Sequence, residues 1–191
     1  MIKIGLTGSV GMGKTTTAKV FEKLGCDVWD ADRAVHELYS KGGKAVVKVA
    51  ELFPSSVEDG SISRNRLKLL LKNEPENLKK LEEIVHPLIL EDRKNFRKHT
   101  SSDVVVFEIP LLFETGADKE MDKTVCVFTS TKNQMERLKN RNKGYDDYYK
   151  ELMSKQMPSN EKCDLADYVI ETTTHTAVEK RVIEILDILR A

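Results

Sequence analysis

The feature that most narrows the folds open to this chain is GSVGMGKT at residues 8–15. It satisfies G-x-x-x-x-G-K-[ST] at every fixed position. Its setting matches the pattern as well. IKIGL at 2–6 reads as a short buried strand, and residues 14–24 read as a helix with Val20, Phe21 and Leu24 on one side and Gly25 as its stop. Glycines tolerate positive φ, so the backbone N–H groups of such a turn can converge on an anion. The start of the following helix adds the positive end of its dipole. The loop is therefore expected to hold the phosphates of a nucleotide through Gly8, Gly11, Met12, Gly13, Lys14, Thr15 and Thr16. Lys14 suits the β- and γ-phosphates, and the Thr15 hydroxyl suits a Mg²⁺ ion.

The rest of the chain supplies the sheet that such a loop needs. DVVVFEIP (103–110), KTVCVFTS (123–130), DYVIE (167–171) and CDVWDAD (26–32) are apolar runs without alternation. Runs of this kind suit strands buried on both faces, hence a parallel sheet. Helical patterns separate them, as in TKNQMERLKNR (131–141) and TAVEKRVIEILDILR (176–190). The fold class is therefore α/β: a P-loop kinase-like parallel sheet flanked by helices, with right-handed crossovers.

Residues 33–99 interrupt the alternation with helical patterns at 33–53, 64–73 and 76–98 and no convincing strand. They are expected to form a helical insertion, with Asn73 starting a helix before EPE and Pro87 kinking or ending the helix that reaches it. Residues 140–162 are polar and charged, with Gly144 near their start, and suit an exposed lid segment. The 191 residues otherwise form one domain.

Composition excludes several classes. Lys plus Arg and Asp plus Glu are both 31, so the chain has no net charge to attract nucleic acid or an anionic membrane surface in general. No stretch approaches the ~20 apolar residues of a membrane span. Cys26, Cys126 and Cys163 are odd in number and lack metal-ligand spacing, which suits reduced thiols in a cytoplasmic protein.

The phosphate loop alone leaves kinase, GTPase and motor open. The chain has neither a D-x-x-G switch nor N/T-K-x-D; NKGYD at 142–146 is nearest, with the wrong spacing. Arg137 and Arg141, four apart on one helix face, could bring positive charge onto a transferring phosphoryl group. Asp30 and Asp32 stand at the carboxyl end of the second strand, the edge at which open parallel sheets bind ligands. One carboxylate there could accept the proton of an attacking hydroxyl, and either could cap the helix that follows.

The chain resembles the dephospho-coenzyme A kinase family along nearly its whole length. The resemblance is carried by GLTGSVGMGKTT, LGCDVWDAD, DGSISRNRL (59–67), LEEIVHPLI (81–89), IPLLFE (109–114), RLKNR (137–141) and QMPSNEKCDLADYVI (156–170). It implies transfer of the ATP γ-phosphoryl group to the ribose 3′-hydroxyl of dephospho-coenzyme A, the last step of coenzyme A synthesis. It further implies Asp32 as base, and Arg64, His86 and the loop of Pro110, Leu111, Leu112 and Glu114 on the acceptor side. Lys14, Arg137 and Arg141 would then act on the phosphoryl group. The expected partners are ATP and dephospho-coenzyme A, with no nucleic acid, no membrane, and a monomer or weak homo-oligomer. Three positions depart from the family pattern: His36 where Arg is common, Ser63 where Asp is usual, and IETTTH (170–175) in place of Asn-x-Gly. The last bears on adenine contacts near Ile170 and Thr172. Two other readings stand beside this one: a nucleoside or nucleotide monophosphate kinase with a different acceptor pocket, and a non-catalytic nucleotide switch. The switch needs no acceptor base, and the insertion is long enough for a bulky pantetheine-bearing acceptor.

Overall fold

A computed structural model describes residues 1–141 and 156–191. The central part of the expected lid, residues 142–155, and the Arg141 side chain lie outside the described residues. The chain divides into two compact units, Met1–Trp29 with Thr100–Ala191, and Asp30–His99.

The first unit is built on a parallel sheet of β1 (Ile2–Thr7), β2 (Asp27–Asp30), β5 (Val104–Glu108), β6 (Lys123–Phe128) and β7 (Tyr168–Glu171), in the order β2-β5-β1-β6-β7. β1 is central, with Leu6 in register with Glu108 on one side and Thr7 with Cys126 on the other. All of β5 is buried, in keeping with its unbroken apolar run. Helices α1 (Lys14–Lys23) and α8 (His175–Arg190) pack together and place Val20, Phe21, Val182 and Ile185 against Ile4, Val104, Val106 and Ile170. This is the α/β class expected from the sequence. Helices α6 (Thr131–Arg141) and α7 (Ser159–Leu165) complete the unit among the described residues.

The second unit holds α2 (Ala31–Tyr39), α3 (Val46–Leu52), α4 (Arg64–Asn73) and α5 (Asn77–His99) around Leu38, Val49, Phe53, Leu67, Leu81 and Val85. It also holds a hairpin, β3 (Val57–Glu58) and β4 (Ser61–Ile62), where no strand was expected. The turn is Asp59-Gly60, both with positive φ, the pair that two-residue hairpins favour. Strands of two residues are too short to show a period in the sequence.

Other boundaries also moved. The second strand ends at Asp30, so Asp32 belongs to the first turn of α2 rather than to the strand. Residues 33–53 contain two helices, α2 and α3, separated by the Gly42-Gly43 turn. Asn73 closes α4 instead of opening a helix, because Pro75 disfavours helical geometry at the preceding Glu74. Pro87 does not end α5, which runs on to His99. Pro87 and Glu83, whose carbonyl loses its N–H partner, are both exposed, so water can serve that carbonyl while Leu81 and Val85 anchor the other face. The expected exposed segment also ends early: Lys162 is fully buried.

Asp30 caps α2, its carboxylate accepting from the N–H groups of Asp32 at 2.8 Å and Arg33 at 3.2 Å. Asp30→Ala should cost about 1 kcal/mol in chemical denaturation, whereas Asp30→Ser, which still caps, should recover most of it.

Candidate active site

The phosphate loop leaves β1 at Thr7, whose hydroxyl donates to the Pro110 carbonyl at 3.2 Å. Gly8 follows at φ 148°, and a Cβ there would stand 2.6 Å from a Val127 methyl and 2.7 Å from the Val127 carbonyl oxygen. Only glycine lets the loop lie this close to β6. Gly13 caps α1 at φ 98°, and a Cβ there would meet Thr172 at 3.1 Å. Lys14 donates to the Gly8 carbonyl at 2.6 Å, so its ammonium lies across the loop that it follows.

Below the loop, the Thr15 hydroxyl donates to Glu108 at 3.0 Å. Glu108 ends β5, beside β1, and only 5% of it is exposed. Sequence reasoning passed over this carboxylate because it sits inside the apolar run 103–110. The signal that could have found it is an acidic residue closing a buried strand next to the loop strand. A hydroxyl and a carboxylate oxygen in contact form a hard donor set of the kind Mg²⁺ takes, and Thr15 and Glu108 fit that ion.

Two segments hold the upper part of the loop. From α6, Gln134 donates to the Val10 carbonyl at 2.7 Å. Arg137 donates to the Gly11 carbonyl at 3.4 Å, to the Thr172 hydroxyl at 2.9 Å and to the Thr172 carbonyl. Thr172, 4% exposed and just beyond β7, donates in turn to the Met12 carbonyl at 2.7 Å. Arg137, Gly11, Gly13, Thr16, Thr172 and His175 line one cavity. IETTTH thus supplies a threonine that bonds the loop and Arg137, where the sequence had marked only a bearing on adenine contacts.

From the other direction come residues 156–162. Val10 N–H donates to Gln156 at 3.2 Å and Ser159 donates to Ser9 at 2.8 Å. Lys162 donates to the Pro110 carbonyl at 2.7 Å and pairs with Glu114 at 2.8 Å. Burial pushes the Glu114 carboxyl up, but bonds from Lys162 and the Met157 N–H outweigh it and hold the group below the usual carboxylate range. The stability this gives is complete above the unfolded-chain pKa of about 4.3 and is lost as pH falls through the lower folded value. Cys163 and Cys126, distant in sequence, meet with their sulfurs 3.4 Å apart, and burial raises both thiols.

The structure brings together, within the first unit, the phosphate-loop residues, Thr15 with Glu108, Arg137, and residues Pro110 to Glu114, which the sequence expected on the acceptor side. Leu111 is exposed, whereas Leu112 is fully buried and packs over Gly5 as core. Asp32, Arg64 and His86 belong to the second unit, each exposed on its own helix, α2, α4 and α5. His36 is exposed on α2.

A family model described as dephospho-CoA kinase matches residues 2–177. A dephospho-CoA kinase of Ruegeria pomeroyi is 45% identical over 189 residues, 99% of this chain and 96% of that protein. One from Brucella melitensis is 42% identical over 176 residues, 91% and 87% of the two chains. Among solved structures, a Thermus thermophilus protein superposes with a TM-score of 0.88 at 30% identity, covering 100% of this chain and 98% of its own. A shikimate kinase from Bacteroides thetaiotaomicron shares the fold at a TM-score of 0.54 and 20% identity, covering 100% and 99%. No helix among the described residues is long and apolar enough to cross a membrane.

Gly13→Ala should weaken ADP binding by about tenfold or more in calorimetry, because the methyl group meets Thr172 behind the loop. Gly25→Ala, also at positive φ but with nothing within 4 Å, should cost only about 1 kcal/mol of stability and leave ADP binding unchanged.

Proposed function

The chain belongs to the dephospho-CoA kinase family, and on that premise we propose that it transfers the γ-phosphoryl group of ATP to the ribose 3′-hydroxyl of dephospho-coenzyme A, completing coenzyme A in the cytoplasm. The observation that carries the reading is the contact of Thr15 with Glu108 beneath a glycine loop that no side chain at position 8 could enter. That arrangement suits a phosphate chain with its metal, and the family supplies the acceptor.

In the proposed reaction the loop N–H groups and Lys14 bind the β- and γ-phosphates and orient the γ-phosphorus for in-line attack. Thr15 and Glu108 are the residues that would hold Mg²⁺, whose chemistry there is neutralisation of phosphate charge. Asp32 accepts the proton of the 3′-hydroxyl as its oxygen bonds to the γ-phosphorus. The bond from that phosphorus to the β–γ bridging oxygen breaks, and ADP leaves. Arg137 and Arg141 contribute positive charge to the transferring group. Arg64, His86 and the loop of Pro110, Leu111 and Glu114 receive the acceptor.

Purified protein with ATP, Mg²⁺ and a panel of dephospho-coenzyme A, AMP, CMP and adenosine tests the assignment. ADP release should require dephospho-coenzyme A. Release with AMP or CMP alone would make the protein a monophosphate kinase, and no acceptor-dependent release would make it a nucleotide switch. Asp32→Asn should retain ATP binding and lose about a hundredfold or more in turnover. Glu108→Gln should weaken ADP binding in the presence of Mg²⁺ by about tenfold, with metal-free ADP bound as before.

A further inference from the structure

Lys162 is the only lysine among the described residues that is buried, and its side chain is fully so. An ammonium in that position is costly to desolvate. A buried ion pair replaced by apolar side chains of similar volume often leaves stability unchanged or improved. Stability alone is therefore a poor reason for a lysine here, and its bonds suggest another. Its two acceptors are the carbonyl of Pro110 and the carboxylate of Glu114, which lie four residues apart in the connection that follows β5. One cation thus ties the two ends of residues 110–114 together.

Each acceptor is shared. The Pro110 carbonyl also accepts from Thr7, the residue before Gly8. The Glu114 carboxylate also accepts from the N–H of Met157. The segment that carries Lys162 holds the nucleotide loop independently, through Ser159 on Ser9 and Gln156 on Val10. Residues 156–162 therefore form a strap with two sets of bonds, one to the loop that holds ATP and one to residues 110–114. Lys162 makes the second set rigid. Without it, the strap would still hold Ser9 and Val10, but the carboxylate of Glu114 would lose its cation and the Pro110 carbonyl its stronger donor.

We propose that Lys162 is a positioning residue for the acceptor: by clamping both ends of residues 110–114 to the strap that also holds the nucleotide loop, it sets the acceptor against the γ-phosphoryl group. The inference rests on the reading of residues 110–114 as facing dephospho-coenzyme A. Lys162 itself does no chemistry, and its removal is felt by the acceptor and not by ATP.

The test uses the full chain and measures ATP dissociation by displacement of a fluorescent nucleotide, with KM for dephospho-coenzyme A and kcat, in Lys162→Met, Glu114→Gln and the double variant. Lys162→Met should lower kcat/KM for the acceptor by about tenfold or more, with ATP affinity within about twofold of the parent. Glu114→Gln keeps the shape and the ability to accept from Met157 and Lys162, so it should fold and show a smaller loss of the same kind. Should Lys162→Met not fold, Lys162→Gln, which can still donate to Pro110 or Glu114 but carries no charge, takes its place and should show the same selective loss in smaller measure. The double variant should be no worse than Lys162→Met, since both substitutions break one clamp. A merely structural lysine would reduce the amount of folded protein and leave the acceptor KM of that protein unchanged. An unchanged acceptor kcat/KM in either folded single variant, or an ATP affinity that falls in step with it, overturns the proposal. Leu111→Ala separates this failure from that of the underlying reading. If it raises the acceptor KM while the Lys162 and Glu114 variants do not, only the clamp is wrong. If it too leaves that KM unchanged, residues 110–114 do not face the acceptor.

Discussion

Everything in the first unit depends on a single close approach, the seat of the Gly8 backbone against Val127 of β6. Because no Cβ fits there, the loop after β1 lies between the carboxyl ends of β5 and β6 and does not bulge away from them. That seat brings Thr15 over the end of β5, where Glu108 waits in a buried position. It also brings the loop carbonyls of Val10, Gly11 and Met12 within reach of Gln134, Arg137 and Thr172. A glycine-rich loop is entropically costly to order. Here the cost is offset by side chains from three later segments of the chain.

Those segments divide the labour. α6 and Thr172 grip the loop carbonyls, and the strap at 156–162 grips Ser9 and Val10 and continues to residues 110–114. The carbonyls of Val10, Gly11 and Met12 are taken up by donors from outside the loop, Lys14 takes that of Gly8, and the Val10 N–H is spent on Gln156. Arg137 illustrates the consequence. Its guanidinium bridges the Gly11 carbonyl and Thr172, so the residue organises the loop in the structure and is proposed to act on the phosphoryl group in the reaction.

Legibility in the sequence followed the range of the interactions concerned. The phosphate loop, its flanking strand and helix, and the buried strands could be read because each is encoded within about ten neighbouring residues by composition and period. The Asp59-Gly60 turn was equally local, yet its two-residue strands gave no period to read. Asn73 misled because the Glu74-Pro75 break that follows it reads equally well as the end of one helix or the start of the next. Of the two outcomes expected at Pro87, the helix end does not occur, because the propensity argument treats a helix in isolation and α5 is held by the apolar side opposite the proline. Glu108 and Lys162 were passed over, and Thr172 was marked only for adenine contacts, for one shared reason: each looks ordinary among its neighbours, and each bonds a residue distant in the chain, Glu108 with Thr15, Thr172 with Met12 and Lys162 with Glu114.

By itself, then, the chain determined its class, the order of its parallel strands along the sequence, the phosphate-binding character of residues 8–15 and the family whose motifs it carries. Those properties live in short runs, where side-chain type dictates local backbone geometry and burial. Only the tertiary structure decided which carboxylate meets Thr15, that Asp30 caps a helix while Asp32 stays exposed in its first turn, and that the end of an apparently open polar segment buries a lysine. Polar partners in a parallel α/β sheet are brought together by crossovers between strands distant in the chain, and their pairing is decided when the layers pack.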